Sequence, residues 1–337
     1  MFILKSKIRF GIIGCSSIAE RTTIPAIIRA KNTTLQTIGS RNTDKAEKFA
    51  TKFSCRSYGT YDDVLNDRNV DVVYISLPIG LQEELVIKSA KAGKHIICEK
   101  SASTSFTDAK KMVKICTNNK VRLLEGFAFR FHPQHKQILK IIDRRSFGRT
   151  FTLISKFLIP MKETSQNFRF KKELGGGALN DLGCYIICAS RIIFNSNPIS
   201  VNCRLFQKAK NSVDSYGNIL LQFADNQYAF GVFGYGNSFQ SNYEIISNNG
   251  TIRSKTAYNI KANKKPIINL RTRNEEKTLE LIASNQSKLM IEDFCGVLRH
   301  GKLPLFAYEK DLLYQAYIME KSRLSNSKNK IIDIKEI

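Results

Sequence analysis

The sequence has no apolar run approaching the about 18 to 20 residues that a membrane span requires. Its opening stretch, Met1 to Phe10, lacks a hydrophobic core followed by a small-residue cleavage site, so a cytoplasmic chain with no membrane partner is expected. Paired cysteine motifs are missing too. The eight cysteines (Cys15, Cys55, Cys98, Cys116, Cys184, Cys188, Cys203 and Cys295) include no C-x-x-C, which removes a zinc knuckle and offers no disulfide framework. They read as reduced, mostly buried small hydrophobes. Acidic residues are scarce: 29 Asp and Glu face 53 Lys and Arg, a formal charge of +24. Such an excess raises the question of a polyanionic partner. The basic residues, however, run through the whole chain, and no helix-turn-helix, zinc-finger or RNA-binding signature organises them. No specific nucleic-acid partner is therefore expected, only a general attraction for small polyanions. Internal repeats and low-complexity linkers are absent as well.

What is present is a globular balance, with 42% hydrophobic and 24% charged residues over 337 positions, more chain than one ordinary core organises. The first third alternates short apolar β-rich runs, at 8–13, 35–39, 70–77, 95–98 and 121–124, with helical patterns. That βαβ rhythm implies a parallel sheet covered on both faces. Thr60-Tyr-Asp-Asp63 and Ser105-Phe-Thr-Asp108 are helix-capping signals, and Gly93 closes the helix that ends near Ala92. Past Glu125 the rhythm changes. A helix at 134–142 leads to alternating strands at 149–157, 200–206, 219–223 and 228–233, joined by turns such as Asp225-Asn226 and Asn248-Asn249-Gly250, a pattern that favours antiparallel pairing. The expected domains are 1–125 and 126–337. The expected fold class is α/β, a doubly wound parallel sheet followed by an α+β domain with a large, mostly antiparallel sheet.

The first strand runs into Gly14-Cys-Ser-Ser-Ile-Ala19 and then a helix, which is where a dinucleotide fold turns its backbone N–H groups toward a pyrophosphate. Gly14 and Ala19 take the first and third fingerprint positions, and Ser16 replaces the second glycine with a small, slightly crowding side chain. Strand two ends Gly39-Ser-Arg41, with no acid to hold a ribose diol. Ser40 and Arg41 offer instead a hydroxyl and a guanidinium, groups that suit a 2′-phosphate, so NADP is the expected cofactor, with NAD as the other possibility.

Three further segments carry a resemblance. Asp71-Val-Val-Tyr-Ile-Ser-Leu-Pro78, Ala90-Lys-Ala-Gly-Lys-His-Ile-Ile-Cys-Glu-Lys100 and Gly175-Gly-Gly-Ala-Leu-Asn-Asp-Leu-Gly-Cys-Tyr185, in this order and spacing, closely resemble the glucose–fructose oxidoreductase / inositol dehydrogenase (Gfo/Idh/MocA) family of NAD(P)-dependent enzymes. The resemblance runs from the glycine turn to the segment near Pro304 and Glu309. It implies a Rossmann domain and a second domain that binds substrate and mediates homodimer or homotetramer contacts. It also implies that Glu99 and Lys100 lie beside the nicotinamide, with Lys100 catalytic, and that Asp181 and Tyr185 meet the substrate from one helical face, four residues apart. Tyrosine rather than histidine at 185 is similar to the branch of xylose dehydrogenase and dihydrodiol dehydrogenase. Cofactor contacts are implied for Gly11, Gly14, Ser16, Ser17, Ile18, Ser40, Arg41, Leu77, Pro78, Gln82, Glu99 and Lys100. Arg169, and Arg130 in Glu125-Gly-Phe-Ala-Phe-Arg-Phe-His-Pro-Gln134, would bind substrate. The chain departs from the family at Ile79 and Gln82, where Asn and His are usual, and at Ser101, where a proline usually follows the lysine.

The expected chemistry is hydride transfer between NADP(H) and a carbinol or carbonyl carbon of a sugar, sugar derivative or nucleotide sugar. Tyr185 would move the proton and Lys100 would offset charge developing on the substrate oxygen. The alternative is a non-catalytic NADP-binding regulator on the same fold, which would be expected to have lost the lysine or the tyrosine. His132 and His135 have no neighbouring ligand cluster in sequence, so they read as pocket lining or structural hydrogen-bonders, with no metal.

Overall fold

The run Ile8–Ile13 (β1) is apolar but for Arg9, which pairs with Asp71, and is buried on both faces, and so it forms a central strand of a covered sheet rather than an edge. The computed structural model describes residues 7–210 and 212–337; Met1–Ser6, which includes part of the stretch read for a targeting signal, and Asn211 lie outside the described residues. After β1 come α1 (Ile24–Arg29), β2 (Thr33–Gly39), α2 (Thr43–Lys52), β3 (Ser57–Gly59), α3 (Tyr61–Asn66), β4 (Val72–Ile75), α4 (Gln82–Lys91), β5 (His95–Cys98), α5 (Phe106–Asn118) and β6 (Leu123–Glu125). The strands pair in parallel in the order β3-β2-β1-β4-β5-β6. The order reverses between β1 and β4, and in such open sheets ligands bind beyond the carboxyl ends of the strands at that point.

Both capping signals act as read. Thr60 accepts from the Asp63 N–H at 3.3 Å while Asp63 accepts from the Thr60 N–H at 2.7 Å, and Ser105 accepts from the Asp108 N–H at 3.1 Å. Each such cap contributes about 0.5 to 2 kcal/mol.

The later elements are α6 (Pro133–Ile142), β7 (Thr150–Ile159), α7 (Cys184–Phe194), β8 (Ser200–Gln207), β9 (Asp214–Phe223), β10 (Gln227–Tyr235), β11 (Gln240–Ser247), β12 (Gly250–Ser254), β13 (Ile267–Thr272), β14 (Glu276–Glu280), α8 (Gln286–His300), α9 (Tyr308–Lys328) and β15 (Ile332–Asp333). A second sheet has the order β14-β13-β12-β11-β7-β10-β9-β8-β15. It is antiparallel as expected, except that β10 and β7 run parallel. Its inner face packs on α7 closely enough that a Cβ on Gly231 would lie 2.5 Å from an Ile186 methyl.

The chain divides into two compact units, Met1–Ala128 with Ser287–Leu313, and Phe129–Gln286 with Tyr314–Ile337. Ser287–Leu313 thus returns to the first unit, although the sequence reading leaves it in 126–337. Specific bonds hold it there: Glu309 takes a fork from Arg122 at 2.7 and 3.0 Å, and the Lys31 N–H donates to Glu292 at 3.0 Å.

One expectation needs correction. Among the described residues the stretch Lys172–Phe194 is long and apolar enough, by length and composition, to cross a membrane, and 78% of that window is buried inside the fold. Its composition follows from its place at the centre of the second unit, where α7 is surrounded by protein. The cysteines are free and, apart from the half-buried Cys55, buried.

Candidate functional site

In the first unit Gly14 leaves β1 at φ +101°, and a Cβ there would lie 2.7 Å from the Ser76 carbonyl oxygen, so only glycine fits. Gly11, by contrast, is inside β1, where a Cβ would meet Val64 at 2.5 Å; it lets α3 close on the sheet. Beyond Gly14 the chain enters a π-type turn, Ala19–Thr23, that leads into α1, with Ser17 and Ile18 exposed at its head. A turn kept clear of side chains at the start of a helix is the cradle a pyrophosphate needs. Ser16 does not crowd it. Its hydroxyl faces the protein, accepting from the Ala19 N–H at 3.1 Å and bonding the Ser76 hydroxyl.

At the end of β2, Ser40 is buried at 6% exposure and its hydroxyl accepts from the Asn42 N–H at 3.2 Å. The thiol of neighbouring Cys15 is pushed up by burial against the opposing charge of Lys45. Arg41 is exposed and reaches the Tyr61 phenol, which burial raises and Arg41 holds down. Sequence reading did not single out Tyr61 or Lys45; both become neighbours of this strand end only through the fold of α2 and α3.

The strand ends beside β1 carry the remaining cofactor candidates. Leu77 and Pro78 form the turn after β4. Gln82, expected to contact the cofactor, is turned inward instead: it is fully buried, donates to the Leu77 carbonyl at 2.8 Å and accepts from the Cys98 thiol at 3.0 Å. It shapes the Pro78 turn from behind. Glu99 and Lys100 follow β5, both half-buried, and the Lys100–Ser101 peptide is cis. The Glu99 N–H donates to the Ile75 carbonyl at 3.0 Å, and its carboxylate accepts from the Tyr74 hydroxyl. Burial and that carboxylate push the Tyr74 phenol well above its ordinary range.

In the second unit the triple glycine leads into a π-type turn, Leu179–Gly183, continued by α7. The wider i→i+5 turn brings residues four apart closer to a full revolution than the 3.6 residues of an α-helix would, so Asp181 and Tyr185 share a face. Gly177 holds φ +117° with Asp214 only 2.4 Å from where its Cβ would lie. Asp214 in turn accepts from the Leu179 N–H at 2.6 Å, a carboxylate stabilising the start of the helical segment. Asn180 clamps the loop by donating to the Gly175 carbonyl at 3.0 Å and accepting from Arg323.

Arg169 and Asp181 meet each other, with Nε to Oδ2 at 2.7 Å, and Tyr235 donates to the same oxygen at 3.3 Å. Burial works to lower the Arg169 guanidinium, and the Asp181 carboxylate more than offsets it, leaving it raised. The Tyr185 ring is enclosed by Phe157 at 5.0 Å, Tyr258 at 5.4 Å and Phe129 at 5.5 Å. Aromatic pairs of this kind contribute about 0.5 to 1.5 kcal/mol each beyond area burial, so the ring is held on three sides. Arg130 is directed at the Cys188 sulfur, 3.8 Å away.

The two histidines are interior. Burial lowers His132 to about 4, and it lowers His135 to about 3, with His132 adding to the effect; His135 bonds the Ala257 carbonyl at 3.2 Å and the Tyr243 hydroxyl at 3.0 Å. Among the described residues no group of three or more His, Cys, Asp or Glu is arranged to hold a metal ion.

Comparison with known proteins adds to this geometry. The chain is similar to dTDP-3,4-didehydro-2,6-dideoxy-alpha-D-glucose 3-reductase of Actinomadura kijaniata, 29% identical over 94% of this chain and 95% of that protein. It is also similar to D-xylose 1-dehydrogenase (NADP(+)) 2 of Haloferax volcanii, at 25% identity over 88% of this chain and 90% of the other. A crystal structure of a 3-ketoreductase from Actinomadura kijaniata with NADP and TDP-benzene superposes at TM-score 0.89, with 28% identity, covering 95% of this chain and 98% of that one. Further structures of that reductase carry phenylalanine in place of a tyrosine, and alanine or glutamate in place of a lysine. Residues 8–127 match the model described as an oxidoreductase family with an NAD-binding Rossmann fold, and residues 135–253 match the GFO/IDH/MocA C-terminal domain. Those two matches cover most of the chain in the order the motifs run, and the protein belongs to the GFO/IDH/MocA oxidoreductase family.

Proposed function

We propose that the chain is an NADP-dependent oxidoreductase acting between a carbinol and a carbonyl carbon of a sugar, with a nucleotide-linked sugar as the favoured substrate class. The observation that carries the catalytic reading is that Lys100 and Tyr185 are both retained, each on the element where the family motif puts it; a non-catalytic regulator would not need both. When bound, the nicotinamide supplies the hydride chemistry. Gly14, Ser17 and Ile18 would hold the pyrophosphate, and Ser40 and Arg41 the 2′-phosphate. Tyr185 would pass a proton to or from the substrate oxygen, Lys100 would stabilise charge developing on it, and Asp181, oriented by Arg169 and Tyr235, would hold a neighbouring hydroxyl. In this reading 1–125, joined by Ser287–Leu313, serves the cofactor and the rest of 126–337 the substrate and subunit contacts, in a cytoplasmic enzyme. The nucleotide-sugar preference is supported by the relatives named as a dTDP-sugar reductase and by the excess of basic residues.

The test is to identify the nucleotide that co-purifies with the protein and then to screen sugars and nucleotide sugars for a change in reduced-nicotinamide absorbance. No turnover with any sugar class, by a protein that binds NADP tightly, would favour the regulator. Arg41→Ala should weaken NADP binding by about 1.5 to 3 kcal/mol, the range for a hydrogen bond to a charged group, and leave NAD binding nearly unchanged. Calorimetry checks it, and equal wild-type affinity for the two cofactors would remove the 2′-phosphate assignment.

A homodimer or homotetramer is also proposed. On the outward face of the second sheet, Glu244, Ile154, Phe230 and Leu220 stand in one cross-strand row, with Phe230 44% and Ile154 38% exposed. Apolar residues grouped on an open sheet face favour association. Light scattering should return a mass of two or four chains, and Phe230→Lys should shift it toward one.

A further inference from the structure

One buried side chain links the two strand ends that the nicotinamide half of a dinucleotide would cover. In the sheet order β3-β2-β1-β4-β5-β6, the turn after β1 is the pyrophosphate cradle, and the end of β2 carries Ser40 and Arg41 for the 2′-phosphate. A dinucleotide with its adenosine over β2 and its phosphates at β1 sets its other riboside on the far side of β1, over β4 and β5. The amide of Gln82, the first residue of α4, spans those two ends. Its Nε2 donates to the Leu77 carbonyl, just past β4, at 2.8 Å, and its Oε1 accepts from the thiol of Cys98, the last residue of β5, at 3.0 Å. Gln82 and Cys98 are both 0% exposed.

The chemistry of the partners fixes the direction of both bonds. A carbonyl oxygen only accepts, so the amide nitrogen faces Leu77, which leaves the amide oxygen toward Cys98 and makes the thiol the donor. Burial holds that thiol well above its ordinary range, so it keeps its proton. Pro78 has no N–H, and the Leu77 carbonyl is therefore the one polar handle on the Leu77–Pro78 peptide; the Gln82 amide grips it. At the other end, Cys98 directly precedes Glu99 and Lys100, and the Glu99 N–H donates to the Ile75 carbonyl at 3.0 Å. The Gln82 link thus runs beside the β4–β5 ladder and extends the tie between the two strands to the turn at Pro78. Breaking either bond would strand a polar group in the interior, away from water.

We propose that Gln82 and Cys98 are positioning residues that fix the Leu77–Pro78 peptide and the end of β5, and with it the backbone of Glu99 and Lys100, beneath the nicotinamide riboside. The proposal rests on the cofactor reading above. Both side chains are closed off from solvent, so they act through the backbone they hold and not by touching the cofactor.

Calorimetric titration of wild type, Gln82→Met, Cys98→Ala and Cys98→Ser tests it, with NADPH and with 2′-phospho-ADP-ribose, which keeps both phosphate sites but has no nicotinamide. Gln82→Met keeps the length of the side chain and removes both bonds. It should lose about 3- to 10-fold in NADPH affinity, the contribution of one or two hydrogen bonds, while binding of 2′-phospho-ADP-ribose stays within about twofold. Cys98→Ala removes one donor and should lose about 2- to 5-fold for NADPH alone, and Cys98→Ser, which restores a donor, should recover most of that loss. Equal losses for both ligands would mean that the sheet edge as a whole has loosened and the residues are merely structural, which overturns the proposal. Unchanged NADPH binding in Gln82→Met, or a serine variant no better than the alanine one, would overturn it too. If Gln82→Met fails to fold, the two Cys98 variants decide the matter alone. A wild type that binds neither ligand would instead refute the cofactor reading, and the proposal with it. None of these readings needs a sugar substrate.

Discussion

Replacing Tyr185 with phenylalanine should lower kcat by about 10²- to 10⁴-fold, the span for loss of a general acid–base, with NADPH affinity nearly intact. The substitution removes one oxygen and leaves the ring where Phe129, Phe157 and Tyr258 hold it, so the helix and its aromatic surround should survive. Such a clean change makes the result interpretable: a large loss in kcat with an unaltered melting temperature assigns proton transfer to the hydroxyl. Near-wild-type turnover on an authentic sugar would reduce Tyr185 to packing. Rescue is not expected from His132, because burial lowers it to about 4 and keeps it neutral near pH 7. Steady-state kinetics and thermal melts on the same preparations are sufficient.

Lys100→Met keeps the aliphatic length and removes the charge. If the ammonium stabilises charge that develops on the substrate oxygen, kcat should fall by about 10²- to 10³-fold, the usual effect of deleting one such electrostatic group. The two residues are assigned to the same chemical step, one moving the proton and the other offsetting charge. The double variant should therefore fall little below the worse single variant, since groups acting as a unit are not additive. Multiplicative losses in the double variant would show that they act in different steps. Cofactor titrations on Lys100→Met should stay close to wild type; a large rise in Kd for NADPH would recast the lysine as a binding residue.

Much of the cofactor half was legible because a buried parallel sheet writes its strands as unbroken apolar runs, and β1 and β5 fall where those runs lie. The three-residue β3, half exposed, has too little pattern to read. In the second sheet β11 to β14 escaped notice because polar residues on an open face dilute the alternation. The parallel pairing of β7 with β10 has no local signature at all, since strand direction is decided by the route of the chain. Site residues divide in the same way. The motif spacing located Asp181 and Tyr185, whereas the pairing of Asp181 with Arg169 and Tyr235 depends on contacts between residues up to 54 positions apart. Gln82 was assigned to the cofactor because the family resemblance carries a contact at that position, although the usual histidine is absent, and only the packed structure supplies the Cys98 thiol and Leu77 carbonyl that satisfy it inside.

The return of Ser287–Leu313 to the first unit bears on how the protein is made. A ribosome delivers the parallel sheet first, but the Glu309 that receives Arg122 and the Glu292 that caps the Lys31 N–H emerge only after β7 to β14, all of the second sheet but its last edge strand, have been synthesised. The dinucleotide half is therefore completed late, although it begins the chain, and its last contacts must wait while the second sheet forms. Chains normally fold domain by domain from the N-terminus as they emerge. Here a fragment cut after β6 would be a sheet without its closing segment, so a nascent chain gains its finished cofactor half near the end of translation rather than at the start.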